Sequence, residues 1–157
     1  MEWELREATT ADAETVARLI RAAFAEYQSR LDPPSGAHGE SAESVREALF
    51  SGGAILAFVE AKPIGCVLYE VRPDHFYFGR LSVLPAFRRK GLGHVLIAAA
   101  EARARQLGRL RLRLGARLAL TEQRASYECL GFRPVEAKTH SGYAEPTYLI
   151  MEKELAP

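Results

Sequence analysis

The sequence predicts an α/β protein, with a mixed sheet and helices on both of its faces. Three observations predict this class. Residues 109–115, "RLRLRLG", alternate strictly between arginine and leucine, which is typical of a strand with one buried face. A run from about Gly91 to Leu107 carries its apolar residues at helical spacing. Segments typical of hairpin strands flank this pattern, as in sheets that combine parallel and antiparallel pairs.

The N-terminal half alternates between both kinds of element. In chain order, we expect a strand at 3–9, a helix from Thr10 to about Tyr27, a loop at 29–41, a helix at 41–50 and two strands within 54–72. Thr10 is a suitable helix cap, and Lys62-Pro63 provides the turn between the two strands. The loop is rich in Pro, Gly and Ser, and a loop of that length is usually functional or mobile.

The C-terminal half continues the alternation. We expect a strand at 75–85, the helix at 91–107, the strand at 109–115, a short helix within 121–132 that closes at Gly131, and a last strand at 146–155. Gly108 is a suitable C-terminal cap for the long helix. No stretch indicates a repeat or a domain boundary, so we expect residues 1–157 to form a single domain.

Composition excludes several classes of protein. With 157 residues, 48% hydrophobic, 26% charged and a net charge of +1, the chain should have no general affinity for nucleic acid or anionic membrane. No apolar run approaches the roughly 20 residues that span a bilayer, and the first residues lack a signal-peptide pattern, so we expect a cytoplasmic protein. Cys66 and Cys129 lack metal-ligand spacing, and the Arg- and Ala-rich usage favours a bacterial source.

The stretch "RRKGLGHVLI", residues 88–97, is typical of an anion-binding loop. A helix begins with four N–H groups that lack intrahelical partners, and its dipole adds positive charge there. Gly91 and Gly93 would let a ligand approach those N–H groups, while Arg88, Arg89 and Lys90 would add mobile positive charge at the rim. The pattern fits neither the dinucleotide fingerprint nor a P-loop. It is suited to a pyrophosphate, and the alternative is a solvated turn in which the glycines only ease the junction of strand and helix.

Two separate motifs resemble those of the GCN5-related N-acetyltransferase (GNAT) family. The family's acetyl-CoA motif, Arg/Gln-x-x-Gly-x-Gly/Ala, matches Arg88, Gly91 and Gly93 within "LSVLPAFRRKGLGHVLI". "YECLGFRP", which begins at Tyr127, resembles the second motif, Tyr-Glu-x-x-Gly-Phe. The order of elements over residues 3–155 also resembles that of the family, so the resemblance covers essentially the whole chain.

The resemblance implies a sheet of six or seven strands, splayed in the middle between the 75–85 strand and the 109–115 strand. It also implies acetyl-CoA as the cosubstrate and no metal. Its pantetheine arm would pair with the backbone of three strand residues, and its pyrophosphate would bind the loop and the helix start. The implied cofactor residues are Leu81, Ser82, Val83, Arg88, Arg89, Lys90, Gly91, Leu92, Gly93, His94 and Tyr127.

The resemblance further implies direct transfer of an acetyl group to an amine. The Val83 N–H would stabilise the oxyanion, and Tyr127 would protonate the leaving thiolate; core packing is the structural alternative for Tyr127. The base stays open. Many relatives carry a glutamate in the strand before Leu-x-Val, but "HFYFGRL" has no carboxylate, which leaves Glu70, Asp74, His75 or a water chain.

Relatives also often place an asparagine ahead of the tyrosine. This chain contains no asparagine. Thr121, Glu122 or Ser126 would have to supply the corresponding cofactor contact.

The acceptor site should lie opposite the cofactor, between residues 27–41 and 139–148, with Tyr27, Tyr143 and Tyr148 either as wall residues or as mobile surface aromatics. We expect the acceptor to be a primary amine of a small molecule or a peptide, and we leave the choice between monomer and homodimer open. The alternative function is a catalytically weak acyl-CoA-binding regulatory module. A weaker one is nucleic-acid binding through the arginines of residues 88–90 and 109–115.

Overall fold

The computed structural model describes residues 2–157. Its strands are β1 (Glu4–Glu7), β2 (Gly52–Val59), β3 (Lys62–Val71), β4 (Phe76–Val83), β5 (Arg111–Arg117), β6 (Arg133–Lys138) and β7 (Tyr148–Glu154). Its α-helices are α1 (Ala13–Phe24), α2 (Ala42–Ser51), α3 (Leu92–Gln106) and α4 (Thr121–Cys129). The strands form one sheet in the order β1-β2-β3-β4-β5-β7-β6, in which only the β4–β5 pair is parallel.

Helices cover both faces of this sheet. α1 and α2 pack on one face around Val16, Ile20 and Val45. α3 and Tyr127 of α4 pack on the other face, which contains the larger apolar cluster. This arrangement confirms the predicted fold class, a mixed sheet with helices on both faces.

The sheet is splayed between β4 and β5. These strands pair only at Phe76 with Leu112 and at Tyr77 with Arg113, although β4 continues to Val83 and β5 to Arg117. Beyond these two pairs, β4 lacks a ladder partner on the β5 side, so the facing backbone groups of both strands are free to bond to something else. The splay that the family resemblance implied is therefore present.

The alternation in β5 has the predicted structural effect. Leu112, Leu114 and Ala116 are buried in the larger cluster, and the arginines between them lie on the opposite face. There, Arg111 donates a hydrogen bond to Glu154 at 3.0 Å and Arg113 to Glu152 at 2.8 Å, both across the β5–β7 ladder. The β7 carboxylates thus neutralise much of the charge of the arginine strand.

The strand β6 was not predicted. All six of its residues are exposed, so neither face of the strand carries a run of buried apolar residues. It begins "RP", and its pairing with β7 shifts register between Pro134 and Glu136. This strand forms because it pairs with β7, and its own sequence has no alternation of apolar and polar residues that would predict it.

Residues 2–157 contain neither a membrane-spanning helix nor a cluster of metal-binding side chains. No helix in this range is long and apolar enough to cross a membrane. No group of three or more His, Cys, Asp or Glu side chains in the same range is arranged to bind a metal ion.

Candidate active site

A cleft of about 430 Å³ lies where α1 ends, β4 ends and α3 begins. Eight of the predicted cofactor residues line it: Leu81, Val83, Arg88, Arg89, Gly91, Leu92, Gly93 and His94. Ala23, Phe24, Glu26, Tyr27, Phe87 and Gln123 complete its wall. The strand end and the glycine loop, which the sequence separates, therefore face one shared space.

The start of α3 presents free N–H groups to this cleft. The first N–H bonded within the helix is that of Val95, which donates to the Gly91 carbonyl at 3.1 Å. The N–H groups of Leu92, Gly93 and His94 precede it, and no side chain among residues 2–157 caps the helix. Because the helix dipole adds positive charge at this end, the three N–H groups can bind an anion such as a diphosphate.

The two glycines keep the approach to these N–H groups open. A Cβ atom built on Gly91 or Gly93 would meet no other atom within 4 Å. Gly91 also has φ 89°, a left-handed conformation that favours glycine. Open space therefore faces the glycine loop, as an anion seat requires.

Arg88 is bound within the protein, which corrects the expectation of mobile positive charge at the rim. Its Nε donates to the Val83 carbonyl at 3.1 Å, its Nη2 donates to the Ala23 carbonyl at 2.7 Å, and its Nη1 pairs with Glu26. The guanidinium thus joins the end of β4 to the end of α1. Arg89 and Lys90 remain exposed beside the cleft and can supply the rim charge.

Three predicted cofactor residues do not line the cleft: Lys90, which is exposed beside it, and Ser82 and Tyr127. The Ser82 side chain is buried and donates to the Arg80 carbonyl at 2.8 Å, so only its backbone could meet a ligand. Tyr127 is 7% exposed and packs edge-to-face on Phe132 with 6.1 Å between ring centroids. Its neighbour Gln123, one helical turn earlier on α4, does line the cleft.

Burial raises the pKa of the Tyr127 phenol to about 12, and the nearby phenols of Tyr27 and Tyr77 add to the shift. The hydroxyl is therefore protonated at neutral pH. Full transfer of its proton to a thiolate with a pKa of about 8.5 would be uphill by about 5 kcal/mol. The group is better suited to donate a hydrogen bond to sulfur as negative charge develops than to act as a strong acid.

The base candidates lie at the wrong end of β4. Asp74 and His75 pair with each other at 2.8 Å in the turn before this strand, and Glu70 pairs with Arg72 at 2.5 Å. At roughly 3.3 Å per residue, His75 is about 26 Å from Val83 along the strand. The structure does not bring these three side chains to the cleft.

Sequence reasoning missed two polar side chains of the cleft, Glu26 and Gln123. Thr121, Glu122 and Ser126, the predicted substitutes for asparagine, do not line the cleft, whereas Gln123 does. Helical spacing could have identified Gln123, because residues four apart share a helix face and Gln123 precedes Tyr127 by four. No motif marks Glu26, since only the fold brings it to Arg88.

The two segments predicted to surround the acceptor contact each other. The Tyr143 hydroxyl donates to Asp32, and Arg117 of β5 donates to the Pro33 carbonyl at 3.0 Å. Of the three predicted wall tyrosines, only Tyr27 lines the cleft.

Solved structures with this fold include several N-acetyltransferases. PaiA N-acetyltransferase from Thermoplasma acidophilum, in complex with coenzyme A, has a TM-score of 0.76 at 21% identity, covering 98% of this chain and 99% of that one. The ribosomal-protein-S18-alanine N-acetyltransferase from Escherichia coli has a TM-score of 0.80 at 18% identity, covering 99% and 96%. A GNAT acetyltransferase from Elizabethkingia anophelis with acetyl-CoA bound has a TM-score of 0.71 at 19% identity, covering 98% of both chains.

At these identities the structures establish the fold alone, and a comparison with curated proteins gives no match. The sequence profile described as "Acetyltransferase (GNAT) family" matches residues 17–132, about three quarters of the chain. This range includes both motifs and every residue that lines the cleft. The chain therefore belongs to the GNAT family of acetyltransferases.

Proposed function

We propose that this protein transfers the acetyl group of acetyl-CoA directly to a primary amine of a small molecule or a peptide. The observation that carries the proposal is the continuity of one cleft. It joins the free N–H groups at the start of α3 to the end of β4, where the splay leaves the strand unpaired on one side. A diphosphate and an extended pantetheine arm require such a seat and such an unpaired strand.

In this proposal the N–H groups of Leu92, Gly93 and His94 hold the diphosphate, with Arg89 and Lys90 at the rim. The backbone of Leu81, Ser82 and Val83 pairs with the pantetheine arm, as a further strand would. Arg88 keeps the two walls of the cleft in place through its contacts with Val83 and Ala23.

The Val83 N–H is the proposed oxyanion donor. Removing a comparable donor typically costs 10²–10³ in rate. Tyr127, whose hydroxyl is kept protonated by burial, is the proposed hydrogen-bond donor to the leaving sulfur. The amine approaches from the side of residues 27–41 and 139–148.

We also propose that residues 1–157 act as one domain in the bacterial cytoplasm, and we leave the choice between monomer and homodimer open. The pairing of Arg111 and Arg113 with Glu154 and Glu152 argues against β5 as a nucleic-acid site.

The alternative is an acyl-CoA-binding regulatory module without catalysis. It is favoured by the lack of a carboxylate on β4 and by the distance of Glu70, Asp74 and His75 from the cleft. Release of coenzyme A thiol from acetyl-CoA in the presence of any amine of a broad panel, above the uncatalysed rate, would exclude it.

The proposed diphosphate site at the start of α3 is tested with Gly93→Asp. The new side chain meets open space, and a carboxylate in the first turn of a helix is favourable, so the variant should fold. It also fills the anion seat with negative charge, so we expect acetyl-CoA binding, measured by calorimetry, to weaken at least about 100-fold.

Gly39→Asp is the matched control, since an added Cβ there also meets no atom within 4 Å and the residue is outside the cleft wall. It should leave acetyl-CoA binding unchanged. Equal binding by both variants, or no binding by the wild type, would contradict the proposed function.

A further inference from the structure

Glu26 supplies the only carboxylate among the described residues that line the cleft. It lies in a short 3-10 turn, Ala25–Tyr27, that directly follows α1. Transfer to an amine needs a proton acceptor, because a free amine with a pKa of about 10.4 is neutral only about once in 2,500 molecules at pH 7. The carboxylates predicted for this role lie at the far end of β4.

Arg88 places Glu26 close to the proposed oxyanion donor. One guanidinium contacts both sites: its Nε donates to the Val83 carbonyl at 3.1 Å, and its Nη1 pairs with Oε1 of Glu26. The carboxylate is therefore about one guanidinium width from the end of β4. Within residues 2–157, no other side chain bonds to this carboxylate, so Oε2 remains available to a ligand.

The Glu26 side chain is open to the cleft. Its side chain is 40% exposed, so an amine can reach it from the cleft. The charged and titratable groups that face it are Arg88, the adjacent Tyr27, and Arg30, whose guanidinium donates to the Glu26 carbonyl at 3.4 Å and lies over the Tyr27 ring.

We propose that Glu26 binds the ammonium form of the acceptor and takes its proton, which makes it the general base of the reaction. This inference rests on the proposed function. Glu26 accepts one N–H proton and later releases it to solvent. The neutral nitrogen forms the new C–N bond at the thioester carbonyl as the C–S bond breaks. Tyr127 donates a hydrogen bond to the leaving sulfur, which takes up the second N–H proton of the nitrogen, so one proton is released per turnover.

The test compares Glu26→Gln with the wild type, using the panel amine that the wild type acetylates fastest. Glutamine keeps the size and a hydrogen bond to Arg88 but cannot accept a proton. We expect kcat/KM for the amine to fall about 100-fold at pH 7, with acetyl-CoA affinity within about twofold of the wild-type value. The deficit should then shrink about tenfold for each pH unit, because solvent supplies more neutral amine as the pH rises.

The matched control is Glu14→Gln, an exposed carboxylate of α1 whose nearest cation is Arg21 at 3.6 Å. It should behave as the wild type. An unchanged pH profile of kcat/KM in Glu26→Gln would overturn the inference. A deficit in kcat/KM that persists at high pH, or a parallel loss of acetyl-CoA affinity, would also overturn it, because either result would mean that Glu26 only positions Arg88. A wild type inactive with every amine would instead defeat the proposed function.

Discussion

Replacing Tyr127 with phenylalanine removes one hydroxyl from a side chain that is otherwise retained. The ring is 7% exposed and packs on Phe132, and phenylalanine keeps that packing. We therefore expect the free energy of unfolding at pH 7 to change by less than about 1 kcal/mol. The effect on turnover should be larger, because a hydrogen bond to a group that becomes charged contributes about 1.5–3 kcal/mol.

That energy corresponds to a loss of roughly 10- to 150-fold in kcat. The assay is the release of coenzyme A thiol at saturating amine, with acetyl-CoA affinity measured by calorimetry in parallel. Affinity should change by less than about twofold, since the diphosphate seat at the start of α3 is unaffected. An unchanged kcat would remove the tyrosine from the mechanism, and an equal loss of kcat and affinity would indicate a disturbed cleft.

The same variant should also change how stability depends on pH. Burial raises the pKa of Tyr127 from 10.0 to about 12, so the folded state favours the protonated phenol. This contribution is fully present below about pH 10 and is lost as the pH rises through 12. Wild type should therefore lose about 1.4 kcal/mol relative to Tyr127→Phe between about pH 9 and 11, measured by urea unfolding. A constant difference would show that the hydroxyl is solvated.

Two further predictions concern a cleft residue and the N-terminal region. Gln123→Ala should weaken acetyl-CoA binding about three- to tenfold by calorimetry, which is the effect of one lost hydrogen bond. Glu122→Ala on the same helix should leave the binding unchanged. A larger effect of Glu122→Ala than of Gln123→Ala would contradict the assignment of Gln123. The Arg6 guanidinium lowers the pKa of Asp12 to about 2. This stabilises the fold above about pH 4 and is lost as the pH falls through 2. Asp12→Asn should therefore cost about 1 kcal/mol at pH 7 after solvent screening and clearly less at pH 2; equal losses at both pH values would refute it.

The sequence predicted what depends on local periodicity. The leucines of β5 and the glycines at the start of α3 are marked by their spacing, because a strand period fixes the leucines and a turn into a helix fixes the glycines. The family resemblance supplied the splay, which no local pattern shows.

What it missed depends on contacts between distant residues. Arg88 and the Ala23 carbonyl are 65 positions apart, and only the fold shows that this arginine is bound between two walls. Glu26 reaches the cleft by the same packing of α1 on β4. The residues of β6 are exposed on both faces, so the strand exists only because β7 provides hydrogen-bond partners.

The two residue pairs that join β4 to β5 have a consequence for the folded chain as a whole. Few backbone hydrogen bonds connect the β1–β4 half of the sheet to the β5–β7 half. A pantetheine arm bound between β4 and β5 would add hydrogen bonds where the two strands do not pair with each other. A ligand that binds only the native state stabilises it by mass action, by about 2.7 kcal/mol at a hundredfold excess over Kd. The concentration of acetyl-CoA would then set the free energy of unfolding of this protein as well as its rate of turnover.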